Sequence, residues 1–284
     1  MNREILIGLV GLPYDANSSF LQGPRLAPEK IREMLRSEHW NLTTENGVDL
    51  EANGWTDFGD LPLGGLNGAQ AFDEINTNVH RILGEASSLV SLGGDHSVSY
   101  PVIKAHAERH PGLNVLHIDA HSDLYSNFQD NRYSHASPFA RLMEDGAVRR
   151  LVQVGIRTLN AHQKEQARKF NVEIIQMDDW RDEIVLEFDG PVYVSVDLDG
   201  LDPAFAPGVS HHEPGGFSTR QAINIINGFT GRLIGADVVE LNPVRDVGSL
   251  TATVAAKLVK ELFGRLILDA ERYSIHRTTT HEVR

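Results

Sequence analysis

Polar residues of metal-binding type stand where apolar runs end at three places in this chain. Gly93-Gly94-Asp95-His96-Ser97 follows Leu89–Leu92, Asp119-Ala120-His121-Ser122-Asp123 follows Val115–Ile118, and Asp197-Leu198-Asp199 follows Val192–Val196. On extended backbone the side chains at i, i+2 and i+4 share a face. Asp119, His121 and Asp123 therefore converge, and so do Asp197 and Asp199. Carboxylates gathered in this way repel one another, and a divalent cation relieves the repulsion; with bridging carboxylates the set holds two. Gly93 and Gly94 let the backbone approach closely, which brings His96 to the same spot. Imidazole and carboxylate donors without sulfur suit Mn2+ best, with Ni2+, Co2+, Fe2+ and Zn2+ compatible. Singly, each stretch reads as a turn, a loop or a hydrogen-bonded core histidine. Their joint occurrence at strand ends reverses that reading, because ligands of parallel sheets bind outside the carboxyl ends of the strands.

The elements that must position these residues follow from the hydrophobic pattern. Short apolar runs at Ile5–Val10, Leu89–Leu92, Asn114–Ile118, Leu151–Val154, Glu173–Met177, Val192–Val196 and Leu233–Val239 read as strands buried on both faces, with Thr56–Phe58 as an edge strand. Helical patterns lie between them: one begins at Pro28, and others cover Ala69–Gly84, Pro101–Arg109, Ser137–Glu144, Ala161–Phe170, Ser218–Asn227 and Thr251–Phe263. Ser218 suits an N-cap, and Ser249 or Thr251 the cap of the last helix. This alternation predicts a three-layer α/β/α fold around a mostly parallel, roughly eight-stranded sheet. No composition break divides the chain, so residues 1–284 are expected to form a single domain. The polar stretch 271–284 is expected to be a frayed tail or an arm on a neighbouring subunit.

Composition narrows the function. The net charge is −13, which disfavours a nucleic-acid binder and is congenial to small cations. There is no cysteine, so disulfides, thiolate nucleophiles and sulfur-ligated metals are excluded. No segment approaches the ~20 apolar residues of a membrane helix, and Ile5–Val10 lacks the flanks of a signal peptide. The expectation is a cytoplasmic protein with neither membrane nor nucleic-acid partner.

Gly-Gly-Asp-His-Ser, Asp-Ala-His-x-Asp and Ser-x-Asp-x-Asp-x-x-Asp-Pro-x-x-x-Pro-Gly (Ser195–Gly208), in this order, resemble the ureohydrolase superfamily of arginases, agmatinases and formimidoylglutamases. The resemblance runs from Gly23-Pro24 to the helix after Asn242-Pro243. Tyr133–Ser137 and Ala206–Gly216 look most like plant-type arginases and their agmatinase-like bacterial relatives. It implies the arginase-like fold and a binuclear manganese site. His96, Asp119, Asp123 and Asp197 would hold one ion, and Asp119, His121, Asp197 and Asp199 the other, with Asp119 and Asp197 bridging. It implies hydrolysis of a small cationic guanidino compound with release of urea. Asp123 would pass a proton to the leaving amine, Glu240 would pair with the guanidinium, and His135 would be a loop histidine that shuttles protons. His135 is followed by Ala136 where many relatives carry glycine, which leaves an ordinary exposed histidine as a competing reading. Asp95 is expected to hold the His96 ring. A homotrimer or homohexamer is implied as well.

Within that class the residues favour agmatine. Tyr125 and the loop Ser126–Ser134 stand where animal-type arginases recognise the α-carboxylate, and Asn160 lies where they carry acidic residues for the α-amino group. Glu213 matches a glutamate usual in agmatinases. The expectation is therefore an agmatinase that makes putrescine and urea, with arginase as the alternative. Guanidinobutyrase and formimidoylglutamase come behind, and a one-zinc deacetylase or a non-catalytic regulatory subunit are the readings from other classes.

Overall fold

The computed structural model describes residues 6–281, with side chains as far as Tyr273. Strands β1 (Ile7–Gly11), β2 (Trp55–Asp60), β3 (Ser88–Leu92), β4 (Asn114–Ile118), β5 (Arg150–Ile156), β6 (Glu173–Gln176), β7 (Pro191–Asp197) and β8 (Arg232–Val239) join one sheet in the order β2-β1-β3-β8-β7-β4-β5-β6. Every neighbouring pair is parallel. The weakly patterned Thr56–Phe58 does lie at an edge, in β2, where the guanidinium of Arg32 grips Asp57 and Asp60.

Helices cover both faces, as strands apolar on both sides require. Helices α1 (Ala27–Leu35), α7 (Thr219–Gly228) and α8 (Leu250–His281) bury their apolar sides with Ile7, Val90, Leu116 and Val194. Helices α3 (Gly68–Glu85), α4 (Ser99–Arg109) and α5 (Pro138–Glu144) pack on the opposite side with Val10, Leu89, Val115 and Tyr193. Helix α6 (Ala161–Phe170) adds Ala167 there, and α2 (Leu50–Asn53) is one short turn. Ser218 caps α7 in a reciprocal capping box with Gln221.

Helix α8 departs furthest from expectation. It runs past Phe263 because Leu266, Ile267 and Ala270 are also buried. Four of its charged residues, Lys260, Glu261, Arg265 and Asp269, are buried rather than solvated. Arg265 pairs with Asp269 and donates to the carbonyls of Asn227, Phe229 and Gly231, which breaks the amphipathic pattern. Neither Ser249 nor Thr251 caps it. The Asp246 carboxylate accepts from the Thr251 and Ala252 amides, while the Thr251 hydroxyl accepts from the Gly208 amide. The stretch expected as a frayed tail or an inter-subunit arm continues the helix to His281, and residues 282–284 lie outside the described part.

Candidate active site

The three polar stretches, and Glu240 with them, emerge from the carboxyl ends of β3, β8, β7 and β4, which are neighbours at the centre of the sheet. Close backbone approach gathers them. A Cβ at Gly94 would stand 1.7 Å from the Tyr14 carbonyl oxygen, and one at Gly200 would stand 2.9 Å from the Asp119 amide nitrogen. Only glycine fits either place. Asp123 (φ 49°) and Glu240 (φ 63°) adopt left-handed backbone, a strain of the kind that functional positions store.

The expected ligands meet. His96 Nδ1 lies 3.2 Å from Asp119, 3.1 Å from Asp123 and 3.1 Å from Asp197. His121 Nδ1 lies 3.1 Å from Asp199 and 3.4 Å from Asp119. The hydrogens of His96 follow from its other nitrogen. Buried Asp237 accepts from the Ser195 hydroxyl at 2.6 Å and from the Tyr193 hydroxyl at 2.9 Å. Ser195, having spent its hydrogen, accepts from His96 Nε2 at 3.0 Å. Nδ1 makes no hydrogen bond and faces three carboxylates. A neutral ring would offer its lone pair to a cation there. Without a cation, burial opposes protonation, but Asp119, Asp123 and Asp197 prevail and hold the ring well above the usual imidazole range. Such a cluster demands positive charge. Burial, with Asp199 and Asp119 nearby, pushes the Asp197 carboxyl well above its usual range. Burial opposes protonation of His121, but the facing Asp199 and Asp119 prevail and hold its ring well above the usual imidazole range. Lone pairs of nitrogen and oxygen converging on common centres fit metal ions, and two such groupings are His96 with His117 and Asp119, and Asp119 with His121 and Asp199.

Beside this cluster is a cavity of about 200 Å³ lined by His121, Asp123, His135, Asp197, Asp199 and Glu240 among others. Glu240 Oε1 accepts from the His96 amide at 2.9 Å and faces His135 Nδ1 at 2.8 Å, whereas its Oε2 is buried without a partner. His135 is buried rather than exposed, with Nε2 beside the Ser19 hydroxyl at 2.8 Å. Burial alone would lower its proton affinity, but the Glu240 carboxylate lifts it to a pKa of about 9.

Other expectations fail for identifiable reasons. Asp95 binds Ser97 and the Asn17 amide instead of the His96 ring, which Ser195 holds. Asn160 is spent capping α6 and donating to the Tyr125 hydroxyl, and it does not line the cavity. Glu213 lines an adjoining outer pocket of about 470 Å³ with Phe20, His211, His212 and Arg245. His117, Gln153 and Asp237 escape a sequence reading although each is buried beneath the site. The available signal is positional: His117 stands two residues before Asp119, and Ser195 two before Asp197, on the same face of their strands.

With this geometry in view, comparison with known proteins is decisive. Residues 6–264 match the arginase family. This chain belongs to the arginase family. It is therefore a hydrolase of guanidino C–N bonds whose chemistry depends on two metal ions, and its substrate is a small guanidino compound. It is 47% identical over 277 residues to "Arginase 1, mitochondrial" of Arabidopsis thaliana, covering 91% of this chain and 80% of that protein. It is 35% identical over 285 residues to a guanidinopropionase of Pseudomonas aeruginosa, covering 94% of this chain and 88% of the other. The solved arginase of Medicago truncatula superposes with a TM-score of 0.88 at 42% identity, over 93% of this chain and 88% of that one. The cytoplasmic expectation is corrected by the plant relatives, whose names place them in mitochondria or chloroplasts.

Proposed function

We propose that this arginase-family chain is an arginase, converting L-arginine and water to L-ornithine and urea. The observation that carries the reading is the 47% identity to the A. thaliana arginase across 91% of the chain. The agmatine expectation gives way, since Asn160 caps a helix and so reports nothing about the substrate. The outer pocket also supports arginine. Glu213 and Arg245 both line it, and neither side chain is paired with another described residue. A rim of both charges suits the zwitterionic end of an amino acid.

His96, Asp119, Asp123 and Asp197 would hold one divalent ion and Asp119, His121, Asp197 and Asp199 the other, with Mn2+ favoured by the donor set. When bound, the ions supply Lewis acidity at neutral pH. Glu240 Oε2, buried and unpartnered, offers a guanidinium N–H its acceptor. The entering guanidinium, at Oε2, adds a second positive partner to Glu240 beside His135, so His135 then yields its proton more readily. Asp123, facing the cavity, takes a proton from the attacking water and passes it to the nitrogen that leaves. The assembly that accompanies this reading is a homotrimer or homohexamer of one-domain chains, to be read from mass in solution.

Side-by-side urea release from arginine, agmatine and guanidinobutyrate at equal Mn2+ loading tests the substrate. Arginine is expected to lead in kcat/KM by at least about tenfold, about 1.4 kcal/mol of transition-state discrimination. Agmatine leading by that margin would return the assignment to agmatinase.

A further inference from the structure

Beneath the site, one register row crosses five adjacent strands with polar side chains. Ser91 of β3 pairs with Asp237 of β8, Asp237 with Ser195 of β7, Ser195 with His117 of β4, and His117 with Gln153 of β5. All of these residues are fully buried. The Asp237 end of the row reaches His96 through Ser195, as described above. The Gln153 end reaches a different ligand.

The hydrogens at that end can be assigned without being seen. The Gln153 side-chain Nε2 lies 2.6 Å from the Ser122 carbonyl oxygen. A carbonyl only accepts, so the atom facing it must be the amide nitrogen, which settles which way the amide points. The same nitrogen lies 2.9 Å from His117 Nδ1 and donates its second hydrogen there. His117 Nδ1 is then an acceptor, and in the neutral ring the hydrogen sits on Nε2. That nitrogen lies 2.7 Å from Asp119 Oδ2. The other Asp119 oxygen accepts the His121 amide at 2.6 Å. Each oxygen of the carboxylate assigned to both ions thus receives one hydrogen bond from the protein, and the plane of the group is held from both sides.

We propose that Gln153 is a positioning residue for the metal centre: by setting the His117 tautomer it makes His117 a donor to Asp119 and orients that carboxylate for two ions. The proposal rests on the two-metal reading of the site and is independent of the substrate. The nearby ring contacts agree with a fixed imidazole, since His117 packs against Phe139 with centroids 3.9 Å apart and the rings tilted by 34°. Outer partners of metal ligands that act in this way contribute about 10–100-fold to metal affinity.

The test has two arms. In the first, Mn2+ alone is titrated into chelator-treated wild-type and Gln153→Met chains. Gln153→Met removes the donor at similar volume and leaves the His117 tautomer unset. Expected are two ions in the wild type and binding weakened about 10–100-fold in Gln153→Met. Wild-type affinity in a folded Gln153→Met chain overturns the proposal. Because a variant can fail to fold, the second arm uses the metal-loaded wild type. A neutron diffraction map is expected to place deuterium on His117 Nε2 and none on Nδ1, and the opposite placement overturns the proposal. A wild type that binds no Mn2+ would instead strike the two-metal reading, and that result is distinct from either.

Discussion

Two neighbouring rows of the same sheet, offset by one residue, behave as opposites. Val90, Ala236, Val194, Leu116 and Val152 are in register across β3, β8, β7, β4 and β5 and face α1, α7 and α8 as an unbroken apolar band. Ser91, Asp237, Ser195, His117 and Gln153 are the next row, face α3, α4 and α5, and are equally buried. Burial is the same and the chemistry is not. The apolar row acts through area and packing, without direction. The polar row acts through direction: its hydrogen bonds deliver a lone pair at His96 and a donor at Asp119. An enzyme needs both, and the pleat lets one strand supply them to opposite sides.

The comparison breaks most visibly where the polar side ends in chemistry. Asp123→Asn is expected to leave the metal centre partly loaded while turnover falls by about 10²–10⁴-fold, the usual cost of losing a proton-transfer group. Urea release at saturating arginine with metal content measured in parallel checks this. Near-normal turnover would remove Asp123 from the proton path.

On the apolar row the expected loss is in stability alone. Leu116 is fully buried and belongs to the core under α7 and α8. Leu116→Ala should cost about 2–5 kcal/mol of unfolding free energy through transfer and cavity terms. Mn2+ affinity of the folded fraction should stay within twofold or so of the parent, because Leu116 lies on the opposite face of the sheet from His117 and Ser195. Denaturant melts and metal titration together read both halves of this claim.

His135 adds a pH-dependent contribution. Its pKa is lifted by Glu240 from the usual 6.5 to about 9 in the folded chain. The folded state therefore holds the proton more tightly than the unfolded one. The gain is fully present below about pH 6.5 and is lost as pH rises through about 9. Its ceiling, at about 1.4 kcal/mol per unit, is about 3 kcal/mol. In the metal-free protein His135→Asn should flatten the alkaline fall of stability across that window; an unchanged profile would show that the pair with Glu240 contributes nothing.

How much of this is legible in the sequence follows from the same contrast. Strand ends and ligands stand out because Asp119, His121, Asp123, Asp197 and Asp199 interrupt apolar runs with a period of two. The sheet is legible for the same reason, down to the identical bounds of β4 and α6. His117 is hidden because one polar residue inside Val115–Ile118 looks like an exception to a buried strand, and its partner Gln153 is thirty-six positions away. Asp246 as a cap and Arg265 inside α8 are equally invisible, since each is defined by a carbonyl or amide that only tertiary folding brings near. The role of Asp95 misleads in the other direction. Sequence proximity suggests the His96 ring as its partner, but the backbone turn gives it Ser97 and Asn17.

The smallest truncation is also the sharpest discriminator between the rows. Ser195→Ala deletes a hydroxyl, a smaller change than Leu116→Ala, and its transfer cost is slight. What it leaves behind is one Asp237 oxygen without its 2.6 Å donor and His96 Nε2 without an acceptor, both fully buried. Orphaned buried groups cost about 1–3 kcal/mol each, so the loss of stability should be comparable with that in Leu116→Ala. Metal binding should separate the two. With Nε2 no longer held, the His96 ring loses the contact that keeps its hydrogen away from Nδ1, and Mn2+ affinity should drop about 10–100-fold. The two variants thus form a pair that loses stability to a similar extent and differs in metal binding, which only Ser195→Ala weakens. If Ser195→Ala bound Mn2+ as tightly as the parent, the polar row would be no more than a satisfied core network, and the difference between the two faces would be one of composition rather than task.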